Sequence, residues 1–271
     1  MARRRWPYAS ALVALVALVV GGAAVACVPP PDPVSLPPAN AGFDYQLGGA
    51  YAPPAGVEVV ARDRTDAPAE GLYNICYVNG FQTQPGEAEW WLAEHPELVL
   101  RDAGGEPVID PGWPDEMLLD ITTEANRAAL AEVVGGWIEA CAADGFDATE
   151  IDNLDTYSRS GGSISQDDAV AMIRLLADRA HLEGMAIGQK NSTELLGRAA
   201  DMDLDFVVAE ECNRYSECDD YTAVYDDLVF VIEYRDAPFA RGCADHPQLS
   251  IIRRDLQLRA PGGSGYRYDA C

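Results

Sequence analysis

Two short acidic clusters, Glu150-Ile151-Asp152-Asn153-Leu154-Asp155 and Glu210-Glu211-Cys212, each follow an apolar run of the kind that forms a buried strand. Each therefore delivers carboxylates to the end of a strand. A protonated carboxyl facing an ionised one can cleave a glycosidic bond, one protonating the leaving oxygen while the other attacks the anomeric carbon or activates water. A separation of about 5 Å goes with a glycosyl-enzyme and net retention, and one of about 6.5 Å or more with inversion. Lys190, ending an intervening apolar run, could hold a neighbouring carboxylate ionised, or could form a structural ion pair with Asp152 or Asp155. Asn153 could hydrogen-bond the same carboxylate. Glu210, beside the like charge of Glu211 and behind Phe206-Val207-Val208-Ala209, is the expected acid.

Positioning two such groups requires a scaffold that ends many strands at one face. Eight apolar runs ending in polar residues qualify as strands: Phe43 to Leu47, Val57 to Arg62, Tyr73 to Val78, Leu118 to Thr122, Ala148 to Asp152, Ala186 to Lys190, Phe206 to Glu210, and Val229 to Tyr234. Amphipathic stretches such as Glu124 to Ala142 and Asp167 to Leu182, the latter with Ser165 as N-cap, lie between them. Strand and helix alternating at this count predicts an α/β fold, a single-domain (β/α)8 TIM-type barrel with its chemistry at the carboxyl ends of the strands. The Trp90 to Pro114 segment breaks the rhythm and is predicted to be a long loop with one short helix over the mouth. Strand ends then offer Asp44, Tyr77, Asp120, Asn153, Asp155, Lys190, Asn191, Glu233 and Tyr234 as substrate ligands. Tyr77, Trp113, Tyr157 and Tyr234 are candidate stacking surfaces for sugar faces.

The segments Glu150 to Tyr157, Ala180-His181 with Gly184 to Asn191, Ala209 to Cys212 with Tyr215 and Glu217-Cys218, and Ile232-Glu233-Tyr234 occur in an order and spacing that resembles the endo-α-1,4-polygalactosaminidase family, family 114 of the glycoside hydrolases. Phe43 to Gly48, Trp113-Pro114-Asp115-Glu116 and Leu119-Asp120-Ile121 are similar to it too. The resemblance implies a (β/α)8 barrel that hydrolyses α-1,4-linked galactosamine polymers, with Asp152 as nucleophile and Glu210 as acid/base. Ile151, Leu118 and Glu211 stand where the family commonly has proline, tryptophan and glutamine.

The chain has 271 residues, 44 acidic and 19 basic, for a formal charge of -25. Phosphate backbones would be repelled, so nucleic acid is not an expected partner; a cationic amino-sugar polysaccharide would be attracted. Arg3 to Arg5, the apolar Ala9 to Val20 and Ala24-Val25-Ala26 read as a signal peptide over residues 1–26. Cys27 follows directly, where a lipoprotein carries its lipidated cysteine, and a proline-rich tether over 27–41 would extend the segment to Pro38 by about 30 to 35 Å. The hydrolase domain would then occupy 42–271. The protein is expected to be exported, as a surface lipoprotein held to the membrane only by its lipid, or otherwise secreted.

Setting Cys27 aside leaves six cysteines, enough for three bridges. Spacing favours Cys212 with Cys218, then Cys243 with Cys271, and Cys76 with Cys141 by elimination. The three histidines lack metal-ligand spacing, so neither a metal nor a cofactor is expected. Two rivals to the hydrolase are a lipoprotein that binds amino sugars without cleaving them and a phosphoester enzyme whose acidic cluster holds Mg²⁺ or Ca²⁺.

Overall fold

The computed structural model describes residues 34–271. The expected signal segment 1–26, the Cys27 lipidation site and most of the 27–41 tether lie outside these residues. Contact with the barrel begins before the expected boundary at 42: Val34 packs against the apolar barrel interior, and the Tyr73 hydroxyl donates to the Ser35 carbonyl at 2.7 Å.

Eight strands pair in parallel in chain order: β1 (Phe43–Gln46), β2 (Val59–Asp63), β3 (Tyr73–Asn79), β4 (Ala148–Asp152), β5 (Ala186–Lys190), β6 (Phe206–Glu210), β7 (Val229–Glu233) and β8 (Ser250–Arg254). A short β9 (Tyr268–Ala270) runs antiparallel to β8. The helices are α1 (Ala88–Glu94), α2 (Glu124–Asp144), α3 (Gln166–Leu182), α4 (Ala199–Met202), α5 (Cys212–Tyr215), α6 (Cys218–Tyr225) and α7 (Asp236–Asp245). This is the expected (β/α)8 barrel with two departures. The β1–β2 and β2–β3 connections carry no helix, and a cavity of about 630 Å³ lined by Tyr51, Pro53, Pro54 and Pro68 occupies that side of the wall.

Leu118 to Thr122 is not a barrel strand. It makes isolated bridges within the excursion between β3 and α2, pairing with Gln82 and Val99, and its apolar side chains feed the outer core. Its place is taken by Ser250–Arg254, in which only Ile251 and Ile252 are apolar and two arginines follow, too short a run to read as a strand from hydrophobicity.

Alternation along the strands separates two cores. Phe43, Val59, Ile75, Ala148, Phe206, Phe230 and Ile252 fill the barrel, while Val78, Ile151 and Ile187 face the apolar sides of α2 and α3. Gly188 is needed on the inner face of β5, since a Cβ there would meet the Phe206 ring at 2.5 Å. Ser165 caps α3 as expected, accepting from the Asp168 N–H at 3.2 Å while the Asp168 carboxylate takes the Ser165 N–H at 3.0 Å.

No ladder joins β8 to β1 among the described residues, and side chains close the seam instead. Arg254, fully buried, donates to Asp44 Oδ1 at 2.9 Å and to the Tyr45 carbonyl, and the Tyr268 hydroxyl reaches the Phe43 carbonyl at 2.9 Å. Disulfides Cys76–Cys141, Cys212–Cys218 and Cys243–Cys271 tie β3 to α2, α5 to α6, and α7 to the C-terminus, the pairing expected from spacing.

Candidate active site

Strands β4, β5 and β6 each end in a charged residue on the barrel's inner face, followed at once by a residue in the left-handed region: Asn153 at φ 67°, Asn191 at 49° and Glu211 at 57°. Such turns cost about 1–3 kcal/mol for most side chains, least for asparagine, and cluster at working sites. Here they carry the chain off the sheet immediately after Asp152, Lys190 and Glu210.

The three side chains converge. Lys190 Nζ lies 3.4 Å from Asp152 Oδ1, 3.2 Å from Glu210 Oε2 and 3.8 Å from Glu150 Oε1. The cation at the centre of the carboxylates is therefore an ammonium. Among the described residues no group of three or more His, Cys, Asp or Glu is arranged to hold a metal ion. Lys190 is only 4% exposed, so the water it gave up must be replaced by these carboxylates. Burial alone would lower its pKa, but Asp152, Glu210 and Glu150 together raise it, so it stays charged.

Asp152 is pushed upward by burial, yet Lys190, the Tyr77 hydroxyl at 2.6 Å and the Asn153 N–H at 2.8 Å together hold it below the usual carboxylate range. It is an ionised group ready to act as nucleophile or base. Glu150, one turn of the pleat deeper and fully buried, goes the other way: burial, opposed by Lys190, raises it to about 8. It accepts from Tyr45 at 2.8 Å, and its burial favours the protonated form. Glu210 receives Asn191 Nδ2 at 3.2 Å and the Tyr234 hydroxyl, while its own N–H is fixed by Asn191 Oδ1 at 2.7 Å. Glu211 is engaged by Arg214 at 2.6 Å and Arg235 at 3.8 Å rather than pressed against Glu210.

Asp152, Glu210, Lys190, Asn191, Tyr77 and Tyr234 thus share one site, with Asn153 contributing its backbone N–H while its side-chain oxygen accepts from Arg159 at 3.2 Å. Tyr77 and Tyr234, expected as stacking faces, use their hydroxyls on the two carboxylates. Other expected ligands are placed elsewhere. Asp44 is sealed in the seam with Arg254. Glu233 lies behind the sheet, fully buried, accepting the Asn213 N–H of α5 at 2.8 Å. Asp120 is turned onto Thr122 Oγ1 at 2.6 Å, and Asp155 pairs with Arg159 at 2.6 Å. Tyr157 packs against the outer core. Trp113 is 60% exposed at the tip of a turn held by Asp110, on the excursion that leads to Glu116.

Strand parity explains these reassignments. Tyr45, Asp152, Lys190, Glu210 and Tyr234 fall on inward positions, whereas Asp44 and Glu233 fall on the opposite face of the pleat. Glu116 is the site residue that strand reasoning missed, because it arrives from the excursion. It is 8% exposed, receives Asn79 Nδ2 at 3.3 Å, and is raised to about 7 by burial and then by the charge of Asp152.

A parallel barrel carrying two carboxylates at the ends of β4 and β6, on either side of the lysine that ends β5, has the parts of a barrel-type glycoside hydrolase. The model of glycoside-hydrolase family GH114 matches residues 24–271, and the chain belongs to that family. In fold it is similar to Ega3 from Aspergillus fumigatus, solved with galactosamine, at TM-score 0.69 and 20% identity, covering 89% of this chain and 100% of that one. The glycoside hydrolase domain of PelA from Pseudomonas aeruginosa aligns at TM-score 0.56 and 14% identity, covering 82% of this chain and 98% of that one. No curated protein matches the sequence.

Proposed function

We propose that this glycoside hydrolase cleaves α-1,4-linked galactosamine polymers by a retaining mechanism with Asp152 as nucleophile and Glu210 as acid/base. The shared lysine carries the mechanistic part. Oxygens held 3.4 and 3.2 Å from one nitrogen cannot be more than about 6.6 Å apart. An oxygen separation within that bound supports direct attack over the about 6.5–9.5 Å spacing that seats an attacking water between two carboxyls.

In the first step Asp152 Oδ attacks the anomeric carbon as Glu210 gives its proton to the departing glycosidic oxygen. In the second, Glu210 takes a proton from water, whose oxygen displaces Asp152 and restores both groups. Lys190, Tyr77 and the Asn153 N–H keep Asp152 ionised for the attack, and Tyr234 and Asn191 fix the Glu210 carboxyl.

The amino-sugar substrate is supported by the galactosamine bound to a protein of similar fold and by the charge of -25, which draws a polyammonium chain toward the mouth. Export, with Cys27 as the lipid site, belongs to the same proposal and rests on the N-terminal sequence; three disulfides suit an oxidising compartment. Labelling with a clickable fatty acid should tag the full chain and not Cys27→Ala; equal labelling would remove the anchor.

Mass spectrometry of products from acetylated and deacetylated galactosamine and glucosamine polymers tests the activity. Shorter oligosaccharides are expected from galactosamine polymers with the unaltered chain and none with Asp152→Asn, which should still bind. Absence of product from every galactosamine polymer with the unaltered chain would contradict the proposal.

A further inference from the structure

The carboxylates expected at strand ends as substrate ligands, Asp152's own cluster apart, are held by other partners: Asp44 by Arg254, Asp155 by Arg159, Asp120 by Thr122, and Glu233 by α5. Glu116 is not. It comes off the excursion turn that Asp110 organises, its N–H on the Trp113 carbonyl at 2.9 Å, and it meets the end of β3 at Asn79. Asn79 is in register with Asp152 on the neighbouring strand. Glu116 is therefore delivered beside the group that faces the anomeric carbon.

Among the described residues no cation forms an ion pair with Glu116. The Arg159 guanidinium, whose charge partly offsets the upward push on Glu116, is held by Asp110 and Asp155 at 2.6 Å each. Among the described residues the one hydrogen-bond donor reaching the Glu116 carboxyl is the Asn79 amide at 3.3 Å, on Oε2, which leaves Oε1 without a donor from those residues. A largely buried carboxyl next to an ionised one, with no direct positive partner, is suited to receive a cation that arrives with the substrate. In a 2-amino sugar the ammonium sits on the carbon next to the anomeric one, so it enters the site within a few bond lengths of Asp152.

We propose that Glu116 is the residue that selects the free amine, pairing with the 2-ammonium of the sugar whose anomeric carbon meets Asp152 and disfavouring an N-acetyl group there. This rests on the amino-sugar reading above and deepens it. Loading the ammonium supplies the missing cation for Glu116 and at the same time adds positive charge beside Asp152, in the part of the site that Lys190 does not reach.

The test compares kcat/KM on deacetylated and on partly N-acetylated galactosamine oligosaccharides for the unaltered chain, Glu116→Gln, which keeps the shape, and Glu116→Asp, which keeps the charge but retracts it. Glu116→Gln should lose at least about tenfold on the deacetylated substrate through KM, with little loss on substrates acetylated at the reacting sugar, so that the preference collapses. Glu116→Asp should keep part of it. Equal losses on both substrates, or an unchanged preference in either variant, overturns the assignment. If the unaltered chain cleaves neither substrate, the amino-sugar reading itself has failed, and that is visible before any variant is made.

Discussion

Lys190 on β5 holds its ammonium 3.4 Å from Oδ1 of Asp152 on β4, with the lysine 4% and the aspartate 19% exposed. The pair is thus dry on one side and open to substrate on the other. Replacing Lys190 by Met removes the one positive charge among three carboxyls. Activity should fall by at least about a hundredfold, and stability near neutral pH by about 3–5 kcal/mol. The neighbouring carboxyls would then have raised folded-state pKa values, so their penalty is absent at low pH and grows as pH rises. Urea unfolding should show K190M closest to the unaltered chain near pH 4 and furthest near pH 7; a constant gap would contradict this.

The Tyr77 hydroxyl donates to Asp152 Oδ2 at 2.6 Å, favouring the ionised form. Tyr77→Phe should cost about 10- to 100-fold in kcat/KM, the range of a lost hydrogen bond to a charged group. Because the donor lowers the Asp152 pKa, its removal raises it, and the acid limb of the pH–rate profile should move to higher pH. An unmoved limb would assign that limb to another group.

Glu150 is fully buried with its pKa raised to about 8, burial outweighing Lys190. In the unfolded chain it ionises near pH 4.3, so its unfavourable contribution is absent below that value and accumulates up to about pH 8. Glu150→Gln cannot ionise. The stability difference, variant minus unaltered, should rise with pH across this window and then level off, measured by denaturant unfolding at intervals of one pH unit. A flat difference would mean that Glu150 is already ionised at acid pH.

Asp44 accepts from Arg254, Tyr51, Gln46 and its neighbour's backbone, and no part of it is exposed. Asp44→Asn should cost about 3–5 kcal/mol by leaving Arg254 short of its counter-charge, while kcat/KM of the folded fraction stays within about threefold. A rise in KM without loss of stability would return Asp44 to the substrate site.

Much of this architecture was legible because β4, β5, β6 and β7 are apolar runs that end abruptly in charge. The local Cys212–Cys218 spacing left few alternatives for the disulfides. What was hidden has physical causes. Arg253 and Arg254 mask β8, because one serves an outer ion-pair cluster and the other the seam. Leu118 to Thr122 has the composition of a strand because the excursion must also bury an apolar face. Asp44 and Glu233 were misplaced by judging strand ends on residue type without parity. Glu116 could be found only once the excursion was seen to fold back on Asn79.

The most direct test is to trap the glycosyl-enzyme. Incubation with a 5-fluoro-α-galactosaminyl fluoride, which slows hydrolysis of the intermediate, followed by digestion and peptide mass mapping, should place one fluorosugar on Asp152, with the anomeric configuration retained in products of the natural polymer. An adduct on Glu210 or Glu150, or inverted product with no adduct, would contradict Asp152 as the nucleophile.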